Sequence, residues 1–252
     1  MEIQRVPASH GWLWLKHGYR LIMRSPLQAF SLAMVFALGI FMAMLIPLAG
    51  VFLAMLIMPL LMAGYMRVCR SLEYHERVEF QHIFAGFKNR GVQLVSLGGM
   101  LLLGITIISL VTSALGGPAL NAILTAYQAH HDTNALVEAL FAPGSGVQSS
   151  LMVGFALLLV LMLAMQFAPM LVFFDQQTPL QALKASIQAS IRNIIPFSVY
   201  TLIMQLIAFA LSAIPMGLGW IIMLPLGLTS MYVSYRDIFS EAKTAETTKA
   251  VE

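Results

Sequence analysis

"LQAFSLAMVFALGIFMAMLIPLAGVFLAMLIMPLLMAGYM", residues 27–66, runs for forty positions without an Asp, Glu, Lys, Arg or His. A bilayer core about 30 Å thick takes about 20 apolar residues of helix at a rise of about 1.5 Å each. Forty residues are therefore two crossings. Pro47, Leu48, Ala49 and Gly50 stand at the midpoint, where proline and glycine interrupt a helix. The stretch reads as two spans, 27–46 and 48–66, folded back on each other.

The same measure applied outward predicts spans at 92–115 and 150–174. The uncharged run Ile194–Tyr235 is again double length and divides at "IPMGLG", residues 214–219, into spans 194–214 and 217–235. Composition agrees: the 252 residues are 59% hydrophobic and only 10% charged, against a usual charged share of about a quarter. That is too little charge to cover a soluble globule. The expected fold class is an all-α integral membrane protein with six transmembrane helices, forming one membrane domain over 1–252.

The charges orient it. With six spans, both termini share a side with segments 67–91 and 175–193, and all fourteen Lys and Arg fall there: Arg5, Lys16, Arg20, Arg24, Arg67, Arg70, Arg77, Lys88, Arg90, Lys184, Arg192, Arg236, Lys243 and Lys249. The opposite side, with the two tight turns and an outer loop at 116–149, has none. The positive-inside rule then places both termini in the cytoplasm. The basic pI follows from this asymmetry, and no nucleic-acid partner is implied. The first twenty-five residues lack an uninterrupted apolar core and a small-residue cleavage site, so the first span is read as the insertion signal. A single cysteine, Cys69, excludes an intrachain disulfide. The tail 240–252 is polar and is expected to be disordered.

"SPLQ" (25–28) and "TPLQ" (178–181) both read as helix starts: a hydroxyl cap, proline at the first helical position and glutamine at the third. The first opens a span and the second a short cytoplasmic helix, so shared capping chemistry explains the likeness better than duplication. A looser repeat remains, since each pair of spans is preceded by a short amphipathic segment with basic residues. In 1–24 Trp12, Leu15, Tyr19 and Ile22 align, with Lys16, Arg20 and Arg24 as charge. In the second segment Phe80, Ile83, Phe84 and Phe87 share a side. In 179–193 Leu180, Leu183, Ile187 and Ile191 form an apolar stripe beside Gln181, Lys184, Gln188 and Arg192, and Ala182, Ala185, Ser186, Ala189 and Ser190 form a small-residue face that admits a close helix. Aromatic and basic residues together suit the headgroup level. The architecture is thus three hairpins, each preceded by an interfacial helix, and Trp12, Lys16, Arg20, Arg24, Lys184 and Arg192 are the candidate lipid or interface residues.

"EIQRVPASHGWLWLKHGYRLIMRSPL" (2–27) and "PLQALKASIQASIRNIIPF" (179–197) resemble an uncharacterised family of six-span proteobacterial inner-membrane proteins. More loosely, they are similar to the membrane domain of bacterial glycerophosphodiester phosphodiesterases. The resemblance implies a helical membrane domain and transfers no active-site residue. The soluble phosphodiesterase domain, with its metal-binding carboxylates, has no counterpart in this chain.

An ionisable residue within a span costs on the order of 2.5–3.5 kcal/mol on insertion scales and usually marks function. These spans contain none, which argues against carboxylate-coupled pumping and intramembrane proteolysis. No Walker A, HExxH or cysteine cluster appears, and no cofactor or metal is expected. Gln166 and Gln205 are the candidate intramembrane polar residues, read first as interhelical hydrogen-bonding groups. Pro59, Pro169 and Pro225 read as kinks, and the seven methionines of the first hairpin as flexible packing. His130, His131 and Asp132 are adjacent and would not converge on one ion from a helix.

Three function classes follow. The first is a non-enzymatic membrane component binding membrane lipids or another membrane protein. The second is a transporter or channel for a neutral or amphiphilic molecule, which needs a cavity lined by Gln166 and Gln205. The third is an enzyme of lipid metabolism, which needs Glu73, His75, Glu76, Arg77 and His82 to converge. The first is the expectation.

Overall fold

The computed structural model describes residues 3–130, 146–213 and 219–239. Nine α-helices carry these residues: α1 His10–Arg24, α2 Pro26–Met44, α3 Gly50–Glu73, α4 Ala85–Lys88, α5 Gly91–His130, α6 Val147–Phe174, α7 Pro179–Arg192, α8 Ile194–Ser212 and α9 Gly219–Phe239, with a 3₁₀ turn at Phe80–Phe84. The described residues contain no strand. Five helices are long and apolar enough to cross a membrane: α2, α3, α5 as far as Gly117, α6 and α8. The sixth expected span corresponds to α9, which is outside that set. It carries Arg236 and Asp237 in its last turn, and half of its residues are buried.

The chain divides into two compact units, residues 1–99 with 163–252, and residues 100–162. In the first, α2 and α3 fold back on each other through residues 45–49, with Leu48 at the exposed tip in a left-handed conformation (φ 65°). Tyr65 of α3 donates its hydroxyl proton to the Ala29 carbonyl of α2 at 3.1 Å. α3 continues past its apolar part to Glu73, with Arg67 and Arg70 in its last two turns. Pro59, Pro169 and Pro225 are each buried inside an uninterrupted helix.

In the second unit, α5 and α6 run antiparallel at close quarters. A Cβ at Gly104 would stand 2.9 Å from Leu161, and one at Gly154 would stand 2.4 Å from the Thr112 hydroxyl, so glycine allows the approach. Leu103, Ile107, Leu110, Phe155 and Val160 face outward, an apolar surface that water would not tolerate and a lipid chain would. α5 breaks at Gly117 (φ 58°, ψ −158°), a backbone region open to glycine, before continuing to His130. His131, Asp132 and the return at 142–145 lie outside the described residues, as does the tail from 240.

The helix starts repeat the sequence pattern with one difference. At Thr178 the reciprocal capping box closes, with the Thr178 N–H donating to Gln181 Oε1 at 3.3 Å. At Ser25 it does not: the hydroxyl goes instead to Gln28 Oε1 at 2.7 Å. Ser25 is also the C-cap of α1, and its backbone (φ −152°, ψ 77°) differs from the extended φ −70°, ψ 152° of Thr178.

Candidate functional site

The charged end of the first unit gathers the polar residues, and α1 is its centre. Gly11 and Gly18 are seven residues apart on one face. A Cβ at Gly11 would lie 2.4 Å from the Pro196 carbonyl of α8, and one at Gly18 would lie 2.6 Å from Ser230 Oγ of α9. These absent side chains let α1 sink between two helices. Trp14, between the glycines, is 1% exposed and meets Phe197 at 4.8 Å and Tyr200 at 6.2 Å between ring centroids. The expected stripe of Trp12, Leu15, Tyr19 and Ile22 is corrected here: Leu15 and Ile22 are buried while Trp12 and Tyr19 are more than half exposed. Trp12, Lys16, Tyr19 and Met23 make the outer face. α1 is therefore a packed helix with one exposed face, because its glycines let the opposite face meet protein.

Two carboxylates organise the cleft behind it. Asp237 Oδ2 accepts from the Trp14 indole N–H at 2.6 Å and lies 2.7 Å from His10 Nδ1. Glu73 pairs with Arg236 and accepts the Tyr232 hydroxyl proton at 2.7 Å. Arg24 donates to the Leu72 and Glu73 carbonyls at 3.1 and 2.6 Å, satisfying orphan acceptors at the C-terminus of α3. The cavity they enclose is about 420 Å³ and is also lined by His17 and Arg20. The N-terminal segment before α1 is tied down beside it. Buried Asn193, which caps α7, accepts from Val6 N–H at 2.9 Å and donates to the Gln4 carbonyl at 2.9 Å, while Gln4 N–H bonds the Ile238 carbonyl at 3.1 Å.

The 3₁₀ turn and α4 pack on α3 backbone to backbone: a Cβ at Gly64 would fall 1.8 Å from the Ile83 carbonyl oxygen, and one at Gly86 2.2 Å from that of Leu60. Ile83 points in, fully buried. Phe80, Phe84 and Phe87 point out and touch one another, with centroids 5.7 and 6.2 Å apart. α7 shows the same division. Its small face is turned inward, with Ser186 Oγ donating to the Leu163 carbonyl at 2.7 Å and accepting from Phe167 N–H at 3.0 Å. Leu180 and Ile191 are 62% and 58% exposed, and Lys184, Gln188 and Arg192 are exposed as well.

Of the candidate interface residues, then, Trp12, Lys16, Lys184 and Arg192 are on outward faces, Arg20 lines the cleft, and Arg24 lines it while closing α3. Gln205 is exposed on α8 and Gln166 is half-buried, and neither lines this cleft. The residues needed for lipid chemistry diverge. Glu73 turns to α9, Glu76 pairs with Arg67 at 3.0 Å, and His75 and Arg77 are exposed. Ser71 Oγ does lie 3.3 Å from Glu76 and 3.4 Å from His82 Nδ1, but it is fully buried, and the carboxylate contacts the serine rather than orienting the histidine as in a nucleophilic triad. The methionines of the first two spans split between outer surface (Met34, Met42, Met44, Met58) and core (Met62, Met66).

Sequence reasoning did not reach Trp14, Asn193 or Asp237. The signal for α1 was present in the seven-residue spacing of Gly11 and Gly18 around a tryptophan. For Asn193 and Asp237 the partners are more than 180 residues away in sequence, and nothing local announces them.

No family model matches the chain, and no solved structure matches it significantly. Along almost its whole length the chain is similar to a probable inner membrane protein of Burkholderia thailandensis, 28% identical over 260 residues and covering 95% of this chain and 94% of the relative. None of these comparisons supports the likeness to phosphodiesterase membrane domains. Together with the five apolar helices among the described residues, the similarity identifies a multi-pass helical membrane protein, similar over almost its whole length to a probable inner membrane protein.

Proposed function

We propose that the chain is a non-enzymatic component of the bacterial inner membrane, with six spans and both termini in the cytoplasm, whose rim elements engage lipid of the inner leaflet. The observation that carries this is the way α7 is turned. Its small-residue face, the one suited to a partner helix, is occupied by α6 of the same chain through Ser186. Leu180 and Ile191, the two ends of its apolar stripe, and its two basic residues are left facing outward, with Leu183 and Ile187 half-buried between them, as suits a helix lying at the headgroup level. The outward aromatics of α1 and of Phe80–Phe87 follow the same pattern, and supporting the topology, the charged ends of α3, α6 and α9 gather at one end of the first unit.

The test is cleavage within residues 179–193 by proteinase K in inside-out vesicles prepared with and without anionic lipid. Each basic residue near an anionic surface contributes about 1 kcal/mol, so Lys184→Glu with Arg192→Glu should lower the docking equilibrium constant at least about thirty-fold. The variant is expected to lose the extra protection that anionic lipid gives the wild type. Equal protection in both would sink the proposal.

A further inference from the structure

The ends of three apolar helices of the first unit meet in a second cavity, an open basin of about 540 Å³. Four cations line it: Arg67 and Arg70 from the end of α3, Lys88 from α4, and Arg90 from the start of α5. Phe173 and Phe174, at the end of α6, supply an apolar wall. Among the described residues no carboxylate lines the basin. Two border it: Glu76, 3.0 Å from Arg67, and Asp175, which accepts the Tyr235 hydroxyl proton at 2.6 Å. Four positive charges against two leave an excess of two.

The three arginines are held in place, Arg67 by Glu76. The Arg70 guanidinium lies 5.4 Å from the Phe174 ring and 5.8 Å from the Tyr74 ring, within cation–π range of both. Arg90 donates to Gln176 Oε1 at 3.0 Å, and both residues hold left-handed backbone conformations, φ 62° and 54°, at the rim. The basin contrasts with the cleft behind α1, where Glu73 and Asp237 already engage the neighbouring donors.

We propose that this basin binds the phosphate of an anionic ester. Guanidinium groups match phosphate oxygens with paired donors, and basic pockets between membrane helices on the cytoplasmic side suit anionic headgroups. The phenylalanine wall suits the glycerol and first acyl carbons of a phospholipid. The same phosphate chemistry belongs to a soluble phosphate monoester, and the experiment separates the two sources. The site rests on the proposed cytoplasmic placement of the rim, but it does not need α7 to dock. Failure of the vesicle experiment on Lys184 and Arg192 would therefore leave it standing.

The test titrates full-length, delipidated protein in detergent with phosphatidylglycerol, cardiolipin, phosphatidylethanolamine and glycerol 3-phosphate, read by native mass spectrometry. Wild type is expected to prefer phosphatidylglycerol and cardiolipin to phosphatidylethanolamine. Arg70→Gln with Lys88→Gln should weaken that binding about thirty-fold, and Lys88→Gln alone, at an exposed position, about five-fold. Arg5→Gln with Arg77→Gln, exposed and outside the basin, should leave it unchanged. Binding of glycerol 3-phosphate with the same sensitivity, and no preference among lipids, would establish the site with a soluble ligand. Wild-type binding of every probe by both basin variants would overturn the proposal, as would a wild type that binds no phosphate probe selectively.

Discussion

Gly64→Ala should release the aromatic rim segment from α3 while leaving the apolar helices in place. A Cβ at residue 64 would fall 1.8 Å from the Ile83 carbonyl oxygen and 2.5 Å from its carbon, where real Cβ atoms keep at least 3.0 Å. The Ile83 backbone must retreat by about 1.2 Å (3.0 minus 1.8), and no rotamer change relieves a clash with main chain. Overpacking of this kind costs about 1–3 kcal/mol and acts on the docked state alone. The helix propensity gained by replacing glycine with alanine is the same whether the segment is docked or not, and so cancels. The docking equilibrium therefore shifts by about 2 kcal/mol, or about thirty-fold toward the undocked segment. Hydrogen–deuterium exchange in detergent should show residues 80–90 exchanging correspondingly faster. Gly99→Ala is the control, since a Cβ there meets nothing within 4 Å. If residues 80–90 exchange at the same rate in Gly64→Ala, Gly99→Ala and wild type, the backbone-to-backbone contact does not hold this segment.

Other outcomes follow from the same geometry. Asn193→Ala removes the acceptor for Val6 N–H and the donor to the Gln4 carbonyl, at about 1–3 kcal/mol for each buried group left unpaired. Trypsin should then cut faster after Arg5, and an unchanged rate would refute the clamp. Glu73→Gln and Arg236→Gln, singly and together, should give a coupling energy of about 1 kcal/mol in thermal melts, the pair being partly exposed; strict additivity would deny the bridge. Trp12→Phe should lower quenching of tryptophan fluorescence by shallowly brominated phospholipid, since Trp12 faces outward while Trp14 is buried. Undiminished quenching would show that this face of α1 does not reach lipid.

The amino-acid sequence by itself determined which segments are apolar helices and roughly where they begin. A run without charge long enough to span hydrocarbon can meet its backbone hydrogen bonds only as a helix, and a threonine, proline and glutamine in order start one wherever they stand, as at Thr178. It also separated the faces of α7, because small side chains and branched apolar ones cannot exchange places against a neighbouring helix. It could not decide the fate of α1. An amphipathic helix shows the same periodicity whether its apolar face meets lipid or protein, and only the contact of Gly11 and Gly18 with the backbones of α8 and α9 distinguishes the two. The tertiary structure alone brought His10 and Trp14 to Asp237, Tyr232 and Arg236 to Glu73, and Arg67, Arg70, Lys88 and Arg90 to the end of α6. Charges that a sequence rule expects on one side of a membrane come together only when helix packing sets the distances between them, and Coulomb attraction falls with those distances rather than with separation along the chain.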